Sequence, residues 1–332
     1  MLDRSQVAPC SNHKRGRILT LAAVFAAILS SQPTPGITAQ PRAVASPPRV
    51  VVTIKPLHSL AAGVMHGIGE PYLIIKGASS PHTYAMKPTD AASLQQAYIV
   101  FWIGPDFETF LSSSIRKLAS KAKIRGLREA PGIKQRFFRQ GPGWGGHADD
   151  HAHDKTKNAP NPHIWLDPAN GQAIANEIAR TLSDADPRNK ARYRKNAQQI
   201  IKRLQNVERE LADMLKAVRT RPYLVFHDAY QHFEDRFGIP AAGSISLGDA
   251  RAPGARRLRA LSEKIAKLGV GCIFSEPQFQ PRIVRSLLAG SSTRAGIMDP
   301  LGAQLKPGPE LYVELLRNNA NAMVNCLMGK PR

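Results

Sequence analysis

Ten histidines are spread along this 332-residue chain, and three stand where an α/β fold builds its sites. His82 follows the apolar run Tyr72-Leu73-Ile74-Ile75, within SSPHTYAMKPTD (79–90). His163 lies in NPHIWLDP (161–168), at the mouth of a long helical stretch, and His227 ends YLVFH (223–227). Asp299 closes another apolar run in MDPLG (298–302). In open parallel sheets, sites form outside the carboxyl ends of the strands. Three neutral imidazoles and one carboxylate meeting there would suit a tetrahedral zinc ion. Calcium and magnesium call for many hard oxygen ligands instead. His82, His163, His227 and Asp299 are therefore the candidate metal ligands. His58, just past the first apolar run, is a second-tier candidate, while His66 and His232 fall on helices and read as structural.

The elements that must position these residues alternate. RVVVTIKP (49–56) reads as a strand closed by Pro56, and LHSLAAGVMHGI (57–68) has helical spacing. PYLIIKG is a second strand, AASLQQA a helix and YIVFWIG (98–104) a third strand. Residues 168–220 are helical with one break at DADP (184–187). Ile201, Leu204, Val207, Leu211, Leu215 and Val218 form one apolar stripe along the second helix. Strand and helix patterns then alternate again from YLVFH to the closing helix PELYVELLRNNANAMVNCLMG. The expected architecture is α/β: two similar lobes with parallel sheets and one long helix between them. The lobes are expected at 49–167 and 221–332, with linking helices at 168–220. Trp102 and Trp165 read as core aromatics.

Other segments bound the function. Lys14, Arg15 and Arg17 precede a 12-residue apolar run (18–29), and small residues follow to Ala39. That is a secretory signal, residues 1–39, and its run is too short to cross a bilayer. Residues 40–48 read as a flexible tail, and Cys10 lies ahead of the apolar run, so no lipid anchor is expected. Between 139 and 160 the chain turns rich in Gly, Pro, Asp and His and loses periodicity. This insertion carries Trp144 and the accessory histidines His147, His151 and His153. In an exported protein, Cys272 and Cys326 would be either one bridge or two buried thiols. The formal charge of +21 comes from scattered basic residues on helix faces, without a basic run or a nucleic-acid-binding signature, so no nucleic acid partner is expected.

Taken in order, TIKPLHSL, GASSPHTYAMKPTD, WIGPDFETFL, NPHIWLDP, FHDAYQHFEDRFG, FSEPQFQP and MDPLG resemble the periplasmic zinc-binding proteins of high-affinity zinc ABC importers. These belong to the metal-binding cluster of substrate-binding proteins. The resemblance runs from about residue 50 to the C-terminus. It implies two Rossmann-like lobes joined by a rigid helix, and Zn²⁺ as the transported ligand. It also implies delivery to an ABC permease at the inner membrane by a periplasmic protein that does not span the membrane; a monomer is expected. It gives ligand roles to His82, His163 and His227 and likens the insertion to a histidine-rich loop; a cysteine pair like Cys272 and Cys326 is linked in some relatives. Some zinc members carry glutamate just before the first ligand histidine. Pro81 stands there in this chain, which leaves the fourth position to Asp299 or water.

Other functions compete, among them an adhesin or metallophore, which would bind a host surface or a small chelator. Manganese members of the same cluster share the fold but typically replace the third histidine with glutamate, and imidazole at His227 favours zinc. A zinc-dependent hydrolase would need a base beside the metal. No H-E-x-x-H motif is present, and the best carboxylate, Glu276, reads better as a partner of backbone amides or of a ligand histidine. The expectation is a transport protein and not an enzyme.

Overall fold

Val50, Val51 and Val52 are all buried, as a strand covered on both faces requires. The computed structural model describes residues 46–141, 143–144, 159–246, 253–279 and 282–329. The first half runs β1 (Val50–Val52), α1 (Lys55–Val64), β2 (Tyr72–Leu73), α2 (Pro88–Gln95), β3 (Ile99–Trp102), α3 (Thr109–Leu118) and β4 (Lys123–Gly126). Its strands form one parallel sheet in the order β2-β1-β3-β4. Two helices follow, α4 (Pro168–Ala185) and α5 (Lys190–Leu215). The second half runs β5 (Tyr223–Val225), α6 (Gln231–Phe237), β6 (Gly243–Ser244), α7 (Ala255–Leu268), β7 (Cys272–Ser275), α8 (Arg282–Leu288), β8 (Arg294–Ile297) and α9 (Leu311–Met328). Its sheet is also parallel, in the matching order β6-β5-β7-β8. Two Rossmann-like halves with a long helix between them agree with the sequence pattern.

Several local differences have physical causes. Pro56 does not close a strand but sits in the first turn of α1, where its missing N–H costs nothing. The helix α3 and the strand β4 have no counterpart in the pattern reading. β4 is an edge strand with Lys123 and Ile124 exposed, so its KIRG sequence shows no apolar face. Asp167 caps α4, accepting from the Ala169 N–H at 2.8 Å, with Pro168 at the first helical position. Gly238 ends α6 in the left-handed conformation (φ 65°), which glycine adopts without strain.

A helical run extends from Pro187 through α5 to Val218, with 3₁₀ turns at both ends. The 26 residues of α5 alone span roughly 39 Å. Its stripe is buried from Leu204 to Leu215, packed along α4. α1 and α9, from opposite halves, pack on α5 and on each other, so the largest apolar core runs unbroken through both halves. A smaller cluster around Leu224, Phe226, Leu261, Ile265 and Ile273 fills the outer layer of the second half. Cys272 of β7 and Cys326 of α9 form a disulfide with Cα atoms 6.0 Å apart. Trp102 and Trp165 are core residues, as expected. Among the described residues, no helix is long and apolar enough to cross a membrane. The expected signal, residues 1–39, and residues 40–45 of the expected tail lie outside the described residues.

Candidate metal centre

The loops after β2 and β5 and the turn ahead of α4 bring three imidazoles together. The candidate ligand nitrogens of His82, His163 and His227 all lie within 4.8 Å of one another. Ring centroids are 5.1 Å apart for His163 and His227, and 5.8 Å from His82 to each of them. His163 and His227 are buried, at 2% and 4% exposure, while His82 is half-buried and forms the outer side.

Hydrogen bonds fix how the two buried rings face. The His163 backbone N–H donates to Asn161 Oδ1 at 3.2 Å, so that oxygen is an acceptor. It lies 2.8 Å from His163 Nδ1, which must then carry the ring proton and leave Nε2 facing the centre. His227 Nδ1 lies 2.7 Å from Glu276 Oε1, which commits that nitrogen as well. The two Nε2 atoms consequently face each other at 3.3 Å. Two imidazole nitrogens at that distance share either a proton or a metal ion. Zinc holds imidazole nitrogens at about 2.0–2.1 Å, which in a tetrahedron places two of them about 3.3–3.4 Å apart. The spacing is that of two zinc ligands. Glu276–His227 has the form of a carboxylate–histidine pair that orients the ring and makes its free nitrogen a stronger donor.

Burial sets the protonation of His163. Desolvation holds the His163 pKa well below the usual imidazole value, and His227, His82 and His232 nearby push it the same way. Burial raises the Glu276 carboxyl, with His227 opposing the shift. Phe107 meets His82 edge-on at 5.2 Å and His163 at 5.5 Å. Together with Trp165, Phe279 and Leu301 it walls a void of about 10 Å³. A space that small admits one water-sized occupant and excludes an extended chelate.

Asp299 stands apart from this trio. One carboxylate oxygen accepts from the Leu301 and Gly302 amides at 2.9 and 3.0 Å and from Gln278 Nε2 at 2.9 Å. The other accepts from the Ala303 amide at 2.5 Å. The turn after β8 folds its own amides around the carboxylate. His58 is placed elsewhere too, on α1 with Nε2 3.0 Å from the Pro71 carbonyl. His232 contacts the Asn161 carbonyl at 3.0 Å, a structural role as expected. His147, His151 and His153 lie outside the described residues. The stem of their insertion docks on the second half: Arg139 pairs with Asp228 and Glu234 and lies over the Trp144 ring at 3.3 Å. Trp144, expected as a loop residue, is thus packed. Sequence reasoning did not single out Asn161 or Phe107. The one signal for Asn161 was its place two residues ahead of a ligand histidine, within reach of a local side-chain bond.

The family model for the zinc-uptake complex component A, periplasmic (ZnuA), matches residues 50–326. The chain is similar to the high-affinity zinc uptake system protein ZnuA of Brucella abortus, with 44% identity over 304 residues covering 84% of this chain and 91% of that one. It is also similar to the protein of the same name from Paracoccus denitrificans, at 35% identity with 84% and 92% covered. Among solved structures, a ZnuA deletion mutant with zinc bound superposes with a TM-score of 0.72 at 23% identity. That match covers 86% of this chain and 100% of the other, and shows the shared fold. The chain belongs to the family of the periplasmic zinc-uptake complex component A.

Proposed function

We propose that this protein captures Zn²⁺ in the periplasm with His82, His163 and His227 and hands it to an ABC permease of a zinc uptake system. It works as a monomer and catalyses no reaction. In this reading residues 1–39 are removed on export and 40–48 are a tail. Residues 49–167 and 221–332 form two lobes around the metal, and residues 168–220 hold them. The observation that carries the proposal is the pair of Nε2 atoms at 3.3 Å, each aimed at the other by a partner on Nδ1.

Three nitrogens without a carboxylate among them favour zinc over manganese. A hydrolase is disfavoured because Glu276, the carboxylate lining the void, has Oε1 on His227 Nδ1, the place of a group that orients a ligand histidine. Water is the proposed fourth ligand, since both oxygens of Asp299 already serve backbone amides. The histidines of the insertion are proposed as a weaker accessory site.

The test is metal analysis of untagged protein, followed by chelator competition for zinc and manganese with wild type and with His82→Ala, His163→Ala and His227→Ala. Zinc should bind more tightly than manganese. Each alanine variant should lose at least about tenfold in zinc affinity, because a neutral ligand is replaced by solvent. Wild-type affinity in two of the three variants would put the site elsewhere.

A further inference from the structure

Asn161 is 1% exposed and uses every polar atom it has. Its backbone N–H donates to the Arg136 carbonyl at 2.7 Å, and its own carbonyl lies 3.0 Å from His232 Nε2. Side-chain Nδ2 donates to the Asp228 carbonyl at 2.8 Å and to Gln231 Oε1 at 3.2 Å. The Asp228 carbonyl can only accept, which settles which end of the amide is nitrogen. Oδ1 is left for the His163 backbone N–H and ring Nδ1. One buried amide therefore holds the imidazole of one candidate ligand and the backbone immediately after the other, His227. The two ligands come from opposite halves of the molecule, and among the described residues the group that gathers for a metal contains both.

We infer that Asn161 is a positioning residue for the metal: its oxygen selects the His163 tautomer that turns the Nε2 lone pair towards His227. The inference rests on the zinc-binding reading. An apolar residue of the same shape would leave His163 Nδ1 without an acceptor. The ring could then flip or take the other tautomer, and Nε2 would no longer be aimed. Second-partner losses of this kind typically cost 10- to 100-fold in metal affinity.

The experiment separates orientation from packing with two variants of the full chain. Asn161→Ala removes both ends of the amide. Asn161→Asp keeps an acceptor for His163 Nδ1, now anionic, and sets an oxygen in place of the donor to Asp228, while Gln231 can turn its own amide to meet the carboxylate. Each is assayed for zinc by chelator competition, for Co²⁺ by its visible absorption band, and for the melting temperature of the metal-free protein. Asn161→Ala should weaken zinc 10- to 100-fold and alter the cobalt band. Asn161→Asp should melt lower than wild type yet keep zinc within a few fold and leave the cobalt band in place. A role confined to packing would move melting and zinc affinity together. Two results would each overturn the inference: a folded Asn161→Ala with wild-type affinity and spectrum, or a folded Asn161→Asp that loses tenfold or more. If Asn161→Ala does not fold, Asn161→Asp decides alone. Failure of the wild-type protein to bind zinc in the same titration would instead overturn the proposed function.

Discussion

His163 is 2% exposed, and a charged imidazolium there would lose its hydration without gaining a carboxylate on either ring nitrogen. Burial accordingly lowers its pKa well below 6.5, and the surrounding imidazoles add to the effect. The sign for metal binding follows: only the neutral ring ligates, so a depressed pKa keeps His163 competent at acidities where an ordinary histidine is protonated. Between pH 7.5 and 5.5 an ordinary ligand imidazole loses about tenfold in affinity, and three would lose about a thousandfold. With His163 removed from that competition, zinc affinity should fall by clearly less than that. Chelator competition at the two pH values, corrected for the chelator's own protons, measures this, and a thousandfold loss would contradict it. The same linkage acts on the metal-free fold. A depressed imidazole contributes its full stability above about pH 6.5 and withdraws it as pH falls towards the folded-state value. At this scale the candidate histidines could be read from sequence because each follows a recognisable strand or precedes a helix. Asn161 and Phe107 could not. An amide or a phenyl ring becomes part of a site only through partners 67 and 70 residues away for Asn161, and through ring contacts with two histidines for Phe107.

At the scale of elements, the turn after β8 shows why Asp299 looked like a ligand and is placed otherwise. A carboxylate at the end of a strand is positioned for a cleft site, but here the chain reverses at once. The amides of Leu301, Gly302 and Ala303 then converge on the carboxylate. Asn319 of α9 ties down the Asp299 backbone, its Oδ1 accepting from the N–H and its Nδ2 donating to the carbonyl, both at 2.8 Å. Asp299 thus shapes the turn that carries Pro300 and Leu301 to the wall of the metal void. Asp299→Ala should destabilise the protein by about 3 kcal/mol, because several charge-assisted bonds vanish and partly buried amides lose their acceptor. Its zinc affinity should stay within a few fold of wild type. A tenfold loss of zinc with unchanged melting would restore Asp299 as the fourth ligand. Element type was otherwise clearest where burial was two-sided, as in β1 and β3. It was obscure at β4, whose place at the sheet edge leaves half the strand wet and removes the apolar run that marks the others.

Across the whole molecule, the alternation of strands and helices announced two halves, but nothing in the pattern said how firmly they are joined. Lys55 supplies part of the answer. It leaves α1 of the first half, is 4% exposed, and donates to the carbonyls of Gly302, Ala303 and Leu305 in the second half at 2.9, 2.6 and 3.0 Å. Trp165 Nε1 donates to the Pro300 carbonyl at 2.7 Å, and the Tyr312 amide to Ser59 Oγ at 3.0 Å. A lysine at the end of a strand looks like a surface charge in sequence. Its role depends on a loop about 250 residues further on. These ties join the same two halves that the packing of α1 on α5 and α9 brings together. Lys55→Met keeps the length and apolar stem of the side chain but leaves three carbonyls without their donor. Buried acceptors left unmet cost about 1–3 kcal/mol each when no water replaces the donor, and solvent reaching the Leu305 carbonyl softens the total. The expected loss is about 3 kcal/mol in urea denaturation of the metal-free protein. The cysteine bridge between β7 and α9 lies within the second half and cannot compensate. A loss below about 1 kcal/mol would mean that the other contacts hold the halves and that Lys55 is incidental to their union.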